Sequence, residues 1–489
     1  MLQENIKAKA LSAFKWSFLS RIIPILSSLV SQLFLARLLN PSDYGIVGIS
    51  TSVIALTLVF QGGKGIGQAL VQHKDESEAT YGNALVLNLG LGLFLYILLI
   101  LASPLLAIYT KDNRVISVIM VQGISILFAS VSSIYQSKLQ RSFDFKKITG
   151  ATLFQSTIPL CIGVALAYFN FKYWSLVIMS LSTEMITLTF LFIVLKWFPK
   201  IQYSKNKILE LFKYSKWIMM DEVISWIISN VDNLILAHYF TISQIGLYVF
   251  GKRIGSLILG NVVSMISPLM FPYLCKLNGN DNEQKNAFLS ISKIFAVIIF
   301  PIAFGVALIA PKIIPLVFSS KWKESGIIVS IIVLAEMTYL ILPNIQLISA
   351  KGRPDINTKI NITNGIIFFI GYLCAIKLGF LFFVYTKLIG LLFIPVFIYY
   401  ASKLLKISKF YFIPLLKSPF IASVGMALVS IIILFAFRNC QNKFINFASV
   451  GIVIISAPII YISTLWLIDK SIIKSISLLV IKTLKPINS

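Results

Sequence analysis

Residues 15–47 read KWSFLSRIIPILSSLVSQLFLARLLNPSDYGIV, and residues 216–248 read KWIMMDEVISWIISNVDNLILAHYFTISQIGLY. At a shift of 201 residues and with no gap, ten of the 33 positions are identical, among them Lys15/Lys216, Trp16/Trp217, Ser28/Ser229, Ala36/Ala237 and Gly45/Gly246. Each copy reads as a long apolar helix, a short polar turn and the start of a second helix. Self-similarity at a fixed period points to a chain assembled from like units. We therefore expect two similarly built halves.

The solvent of those halves follows from composition. Of 489 residues, 57% are hydrophobic and 12% are charged, with mean hydropathy +0.88. A water-soluble domain carries about 25% charged residues. A chain this apolar belongs in lipid, where only structures that satisfy their own backbone can span. A span needs about 20 apolar residues. On that rule the sequence predicts an all-α polytopic membrane protein of about 14 transmembrane helices. They lie near 16–36, 43–62, 82–109, 115–136, 148–169, 173–195, 217–240, 245–271, 288–310, 326–349, 360–377, 380–400, 419–437 and 445–468. The link between the eleventh and twelfth is so short that this pair is the hardest to separate. The first helix is read as uncleaved, since no short apolar core with a small-residue cleavage site precedes it.

The net charge of +25 raises the question of nucleic acid. Its distribution answers it. Of the 43 Lys and Arg, 28 fall in segments on the side of the N-terminus, 10 on the opposite side and 5 within spans. That bias is a topology signal that sets both termini in the cytoplasm, and the basic loops face anionic lipid. The basic segment 196–216 separates the repeats, which makes the unit six helices. The expected domains are a first bundle over 1–200, a second over 201–401, and two additional helices with a basic tail over 402–489. The tail reads as a surface-lying helix. An even number of helices per unit keeps both copies in one orientation, so a pseudo-two-fold axis along the membrane normal is expected.

The four cysteines are far apart and form no CxxC, and only two histidines occur. Neither a metal centre nor a disulfide framework is indicated. The run GGKGIG at 62–67 lacks the strand and the GK[ST] ending of a phosphate loop, so no nucleotide cofactor is implied. The polar residues inside spans are the functional candidates, because ionisable groups there are costly and rare. On the first helix Arg21, Pro24, Ser28 and Ser31 share one face. The repeat maps these onto Glu222, Ser225, Ser229 and Asp232. We expect the two stripes to line a cavity. Substrate-binding candidates are Arg21, Ser28, Ser31, Gln61, Lys64, Lys252, Arg253, Asn261, Asn361, Asn364 and Lys387. Carboxylates placed to couple transport to an ion are Glu222, Asp232, Glu336 and Glu184. The plainer alternatives are snorkelling at the interface for the charges and interhelical hydrogen bonding for Asn and Ser.

Five stretches carry a family resemblance: FLARLLNPSDYGIVG (34–48), QGGKGIGQALVQHKD (61–75), KLQRSFDFKKI (138–148), VDNLILAHYFTISQIGLY (231–248) and AKGRPD (350–355). They resemble the bacterial Wzx-type lipid-linked oligosaccharide flippases. These sit within the multidrug/oligosaccharidyl-lipid/polysaccharide (MOP) exporter superfamily, on its colanic-acid-exporter branch. The resemblance implies two six-helix bundles in a V-shaped, MATE-like fold. It implies export of an undecaprenyl-pyrophosphate-linked oligosaccharide from the inner membrane by alternating access, with ion coupling. Partners would be membrane lipid, a polysaccharide polymerase and a chain-length regulator. Arg21 falls where related lipid II flippases carry an arginine. The Arg-Asp pair that those carry deeper in the helix is absent here, which speaks against lipid II as substrate. Competing readings are a MATE-like drug/cation antiporter and a membrane glycan ligase or polymerase.

Overall fold

The computed structural model describes residues 22–61, 66–72, 75, 77–142, 144–437 and 443–470. Arg21, Lys64, the GGKGIG run up to residue 65 and the tail beyond Lys470 lie outside the described residues. All regular secondary structure among the described residues is helical. In chain order the helices begin with α1 (Ile22–Leu38), α2 (Pro41–Gln61), a short α3 (Ile66–Gln72), α4 (Glu78–Thr110) and α5 (Arg114–Arg141). They continue through α6 (Phe145–Tyr168), α7 (Tyr173–Leu195), α8 (Lys205–Tyr239), α9 (Ile242–Lys276) and α10 (Asp281–Phe318). The next span, Ser320–Ala350, contains α11 (Lys323–Ala335) and α12 (Leu342–Ala350). After α13 (Pro354–Ile376) a further span, Phe380–Leu404, contains α14 (Phe380–Tyr385) and α15 (Ile394–Leu404), and α16 (Phe412–Ala436) and α17 (Lys443–Ile468) follow.

Twelve of the described helices are long and apolar enough to cross a membrane. The two expected spans missing from the twelve are α1, described over 22–38 only, and α8. α8 is 35 residues long, yet it carries Lys205, Lys207, Glu210, Lys213, Lys216, Asp221, Glu222 and Asp232. These two are the repeated stretch itself. The outward surfaces of other spans are oily: on α4, Leu101, Leu105 and Ile108 are about 70% exposed (70%, 69%, 75%), as lipid-facing side chains are.

The observed helices overrun the apolar windows. α10 begins at Asp281, seven residues before its apolar stretch, because Asn280 caps it by accepting from the Glu283 N–H at 3.3 Å. The hard-to-separate pair is resolved by a three-residue turn, in which Gly379 adopts φ +107° between α13 and α14. α3 was not foreseen: seven residues are too few to show a period.

By packing, the chain forms two compact units, Met1–Val249 and Phe250–Ser489, with the division inside α9. In the first unit, the non-helical segment 196–204 is strapped to the end of α4. Asn83 donates to the Gln202 carbonyl and accepts from the Ser204 N–H, both at 2.7 Å. Gly82 lets the Lys200 carbonyl approach so closely that a Cβ there would lie 2.1 Å from it. The Trp197 indole donates to both Glu78 oxygens at 2.9 and 2.8 Å, and the Lys138 ammonium lies 3.3 Å from its ring centroid. Lys207, in the first turn of α8, pairs with Asp75 at 2.7 Å. That hydrogen bond, with those from Thr80 and Ser77, holds the Asp75 carboxyl far below the usual carboxylate range. The pair therefore persists at mildly acid pH and releases only as pH falls through the depressed value. Asn83→Ala removes two strap hydrogen bonds worth about 1 kcal/mol each, so trypsin cleavage at Lys200 should quicken roughly tenfold or more. The same digest at pH 5 and pH 8 should show equal protection of the unaltered chain.

In the second unit, α16 and α17 clasp α10 at several heights. The Tyr461 hydroxyl donates to the Val297 carbonyl at 2.9 Å, and Lys293 pairs with Asp469 at 3.8 Å. Lys312 donates to the Leu434 carbonyl at 2.9 Å, near the negative end of the α16 dipole. Between these ties Ala422, Met426, Val453 and Ala457 pack against Val297, Phe304 and Ile309. The last two helices are thus fastened along a neighbouring span.

Candidate functional site

In the first unit the repeated stretches meet through equivalent residues. A Cβ on Gly246 would lie 1.7 Å from the Pro41 carbonyl oxygen, and one on Gly45 would lie 2.1 Å from the Ile242 carbonyl oxygen. The shift of 201 carries Pro41 onto Ile242 and Gly45 onto Gly246, so the contact is reciprocal. One turn further on, a Cβ on Gly48 would lie 2.8 Å from Val249, its own equivalent. Small residues let two helices cross backbone to backbone, where side chains would hold them about 8–10 Å apart. Above the crossing the turns match too: the Asn40 N–H donates to Asp43, and the Thr241 N–H donates to Gln244, the residue equivalent to Asp43.

The Asp232 end of the α8 stripe packs beside this crossing, while Ser225 and Ser229 are exposed. Asp232 is fully buried. It accepts from the Tyr248 hydroxyl at 2.5 Å and from the Asn233 N–H at 2.8 Å. Asn233 donates to the Ser52 hydroxyl of α2 at 2.8 Å, and Trp226 donates to the Ser52 carbonyl at 3.0 Å. On α1, buried Ser31 donates to the Met179 sulfur of α7 at 3.9 Å, and Ser28 is half-buried. Gln32, the repeat partner of Asn233, accepts from Tyr44 of α2 at 3.3 Å. Both repeats therefore send a buried amide one position past the stripe onto α2. Sequence reading missed Gln32, Asn233 and Ser52, although the alignment of Gln32 with Asn233 was the signal. Glu222 and Glu184 are half-buried on α8 and α7. Gln61 closes α2.

Removing the Asp232 carboxylate leaves the buried Tyr248 hydroxyl without this acceptor, which destabilises by about 1–3 kcal/mol. Asp232→Ala should therefore lower the thermal unfolding midpoint in detergent by several degrees, and Asp232→Asn, which keeps an acceptor, by much less. A stability-neutral Asp232→Asn that cannot transport would instead assign Asp232 to the ion-coupling set.

In the second unit the informative feature is a pair of interrupted spans. Ser320–Ala350 passes from α-helix to 3₁₀ geometry over Glu336–Ile341, and Phe380–Leu404 does so over Thr386–Phe393. The cause is proline. Pro343 opens α12 and Pro395 opens α15, and a proline ring clashes with the carbonyl four residues back while donating no hydrogen bond. Those carbonyls belong to Tyr339 and Leu391, inside the two 3₁₀ stretches. The breaks adjoin one another: a Cβ on Gly390 would lie 3.0 Å from the Thr338 methyl. Broken helices at membrane depth persist where protein or a polar cavity surrounds them, and they are where transporters bind ions and substrates.

Glu336 starts the first break. The Ser256 hydroxyl of α9 donates to its Oε1, while its Oε2 is buried with no hydrogen-bond partner. Lys387, in the second break, and Lys252 are the cations that act on it electrostatically. The Lys387 ammonium also lies 5.5 Å from the Tyr372 ring and 5.9 Å from the Phe368 ring. The Tyr339 hydroxyl sits beside Gly260, one turn beyond Ser256. Asn364 of α13 has a buried side-chain oxygen without a partner. Asn261 spends its amide on the Leu257 carbonyl at 2.6 Å; Arg253 and Asn361 are exposed. The structure thus gathers Lys252, Glu336 and Lys387 from the candidate set. Such a group can take up a proton or a small cation at Glu336, since an open carboxylate oxygen in a nonaqueous interior is a site waiting for positive charge.

Comparison with known proteins places these features. The family described as polysaccharide biosynthesis protein matches residues 34–327, more than half of the chain. The lipopolysaccharide biosynthesis protein WzxC of Escherichia coli (strain K12) is 22% identical over 371 residues, covering 74% of each chain. The teichuronic acid biosynthesis protein TuaB of Bacillus subtilis (strain 168) is 20% identical over 356 residues, 72% of this chain and 73% of that one. Among solved structures, the lipid II flippase MurJ in an inward closed conformation aligns with TM-score 0.68 at 15% identity. It covers 95% of this chain and 100% of that one. An inward-facing MATE family transporter of the MOP superfamily aligns with TM-score 0.62 at 14% identity, over 80% and 99%. The chain shares the fold of the MurJ and MATE structures, and it belongs to the polysaccharide biosynthesis protein family.

Proposed function

We propose that this protein is a flippase that carries an undecaprenyl-pyrophosphate-linked oligosaccharide across the cytoplasmic membrane by alternating access, coupled to an ion, for surface polysaccharide assembly. The observation that carries the reading is the family match over residues 34–327, together with twelve membrane-length helices among the described residues. The physics supplies the need. Moving one unpaired hydroxyl into hydrocarbon costs about 4–8 kcal/mol, so a repeat unit with many hydroxyls does not cross unaided. A hydrated path between two bundles removes that cost. In this reading Arg21, with Lys252 or Arg253, holds the pyrophosphate, because guanidinium matches phosphate oxygens two at a time. Glu336 takes the coupling proton. Both termini lie in the cytoplasm, the fourteen expected spans include α1 and α8, and the expected six-helix bundles 1–200 and 201–401 are related by an axis along the membrane normal. A polymerase and a chain-length regulator would receive the product.

The test is flipping in proteoliposomes. A fluorescent undecaprenyl-pyrophosphate-linked oligosaccharide is placed in both leaflets, and its loss to a membrane-impermeant sugar oxidant is followed. Half should react in empty vesicles and nearly all with the protein present. No increase over empty vesicles, with a folded protein, overturns the reading.

A further inference from the structure

A second polar-headed feature lies on the lipid side of the first unit, remote from Lys252, Glu336 and Lys387 in sequence and unit. α1 and α6 stand apart there and leave a groove of about 650 Å³. One wall is Val30, Phe34 and Leu38 of α1, spaced by four; the other is Leu160 and Val164 with Cys161 and Ala165 of α6. Residues four apart stack along a helix, so the groove runs lengthwise with the spans. Met179 of α7 touches both helices, α1 through Ser31 and α6 at Gly163, where a Cβ would lie 2.8 Å from the sulfur. At one end stand Arg37, exposed at the close of α1, and Tyr168 and Phe169, 75% and 70% exposed at the close of α6. Exposed aromatics beside a cation mark the headgroup level of a bilayer.

The shape and the charge select the occupant. The walls of the groove are apolar and suit a hydrocarbon tail. A guanidinium at its mouth selects an anionic head, and phosphate suits it best. We propose that the α1–α6 groove is a binding site for a single-chain polyprenyl phosphate, with the isoprenoid tail between the helices and the phosphate on Arg37. The prenyl class rests on the proposed function. On the topology read from Lys and Arg, the site faces the outer leaflet, where a carrier lipid would emerge.

Cys161 reports on the groove directly, since it lines one wall and is exposed. Cys275, Cys374 and Cys440 are replaced by serine, and labelling of Cys161 by a lipid-soluble maleimide is timed in proteoliposomes. Undecaprenyl phosphate should slow labelling about fivefold or more. The same mole fraction of phosphatidylglycerol or of undecaprenol should leave it unchanged. Arg37→Gln should abolish protection while keeping the lipid-free labelling rate, and Arg37→Lys should restore part of it. Val164→Trp, which fills the slot, should abolish protection with Arg37 intact. Equal protection by phosphatidylglycerol or by undecaprenol overturns the proposal, as does protection that survives Arg37→Gln or Val164→Trp. The readout is equilibrium binding and needs no transport. Lost protection with intact flipping sinks the groove alone, whereas absent flipping sinks the function.

Discussion

Gly246→Ala is expected to abolish transport while the protein still inserts in the membrane. The new methyl would lie 1.7 Å from the Pro41 carbonyl oxygen, which is backbone and cannot rotate away. Helices α2 and α9 must then separate by more than 1 Å. Overpacking of this kind costs about 1–3 kcal/mol where side chains can adapt, and more where backbone faces backbone. The separation also pulls on the Asp232–Tyr248 and Asn233–Ser52 hydrogen bonds next to the crossing. Gly45→Ala should do the same, because the contact is reciprocal. The double variant should be little worse than either single one, since one separation relieves both clashes. Gly90→Ala is the control: it is helical, and nothing lies within 4 Å of its Cβ position. The measurement is surface polysaccharide in a strain lacking its own exporter, alongside protein level in the membrane. Normal polysaccharide from Gly246→Ala would show that this close approach is dispensable for transport.

Glu336→Gln carries the other large effect. The amide keeps the shape and an acceptor for Ser256 but can neither gain nor lose a proton. In the flipping assay with an imposed pH gradient, the unaltered protein should respond to the gradient, and Glu336→Gln should lose that response by about tenfold or more. Lys387→Met should be worse for stability than the pair Glu336→Gln/Lys387→Met. The single change leaves a half-buried carboxylate with less compensating charge, which destabilises, and the double change removes the charge that needed it. An undiminished gradient response in Glu336→Gln, with the unaltered protein responsive, would exclude Glu336 as the coupling group.

Lipid as solvent, helices as the only regular element among the described residues, and the sequence repeat of 15–47 at 216–248 were legible in the chain. They depend on composition and period, which are one-dimensional. The alignment of Gly45 with Gly246 even contained the crossing, since both glycines face each other in the fold. Helix ends were less legible. Charged first turns such as Asp281–Lys285 look like loop by hydropathy, yet the Asn280 cap makes them helix. Asp232 shows the limit for side chains. A polar stripe read from sequence does not reveal whether Asp232 meets water or a neighbouring Tyr248.

The amino-acid order alone determined the solvent, the helical class, the repeat register and the roster of intramembrane charges, because each follows from spacing along one chain. Tertiary structure decided which of those charges share a neighbourhood. Ser256, Glu336 and Lys387 are separated by 80 and 51 residues, and only helix packing brings them into one place. It also decided that α1 and α6 line a common groove. The physical reason is that contact energies fall off within a few ångströms, so distance in space governs them and distance along the chain does not.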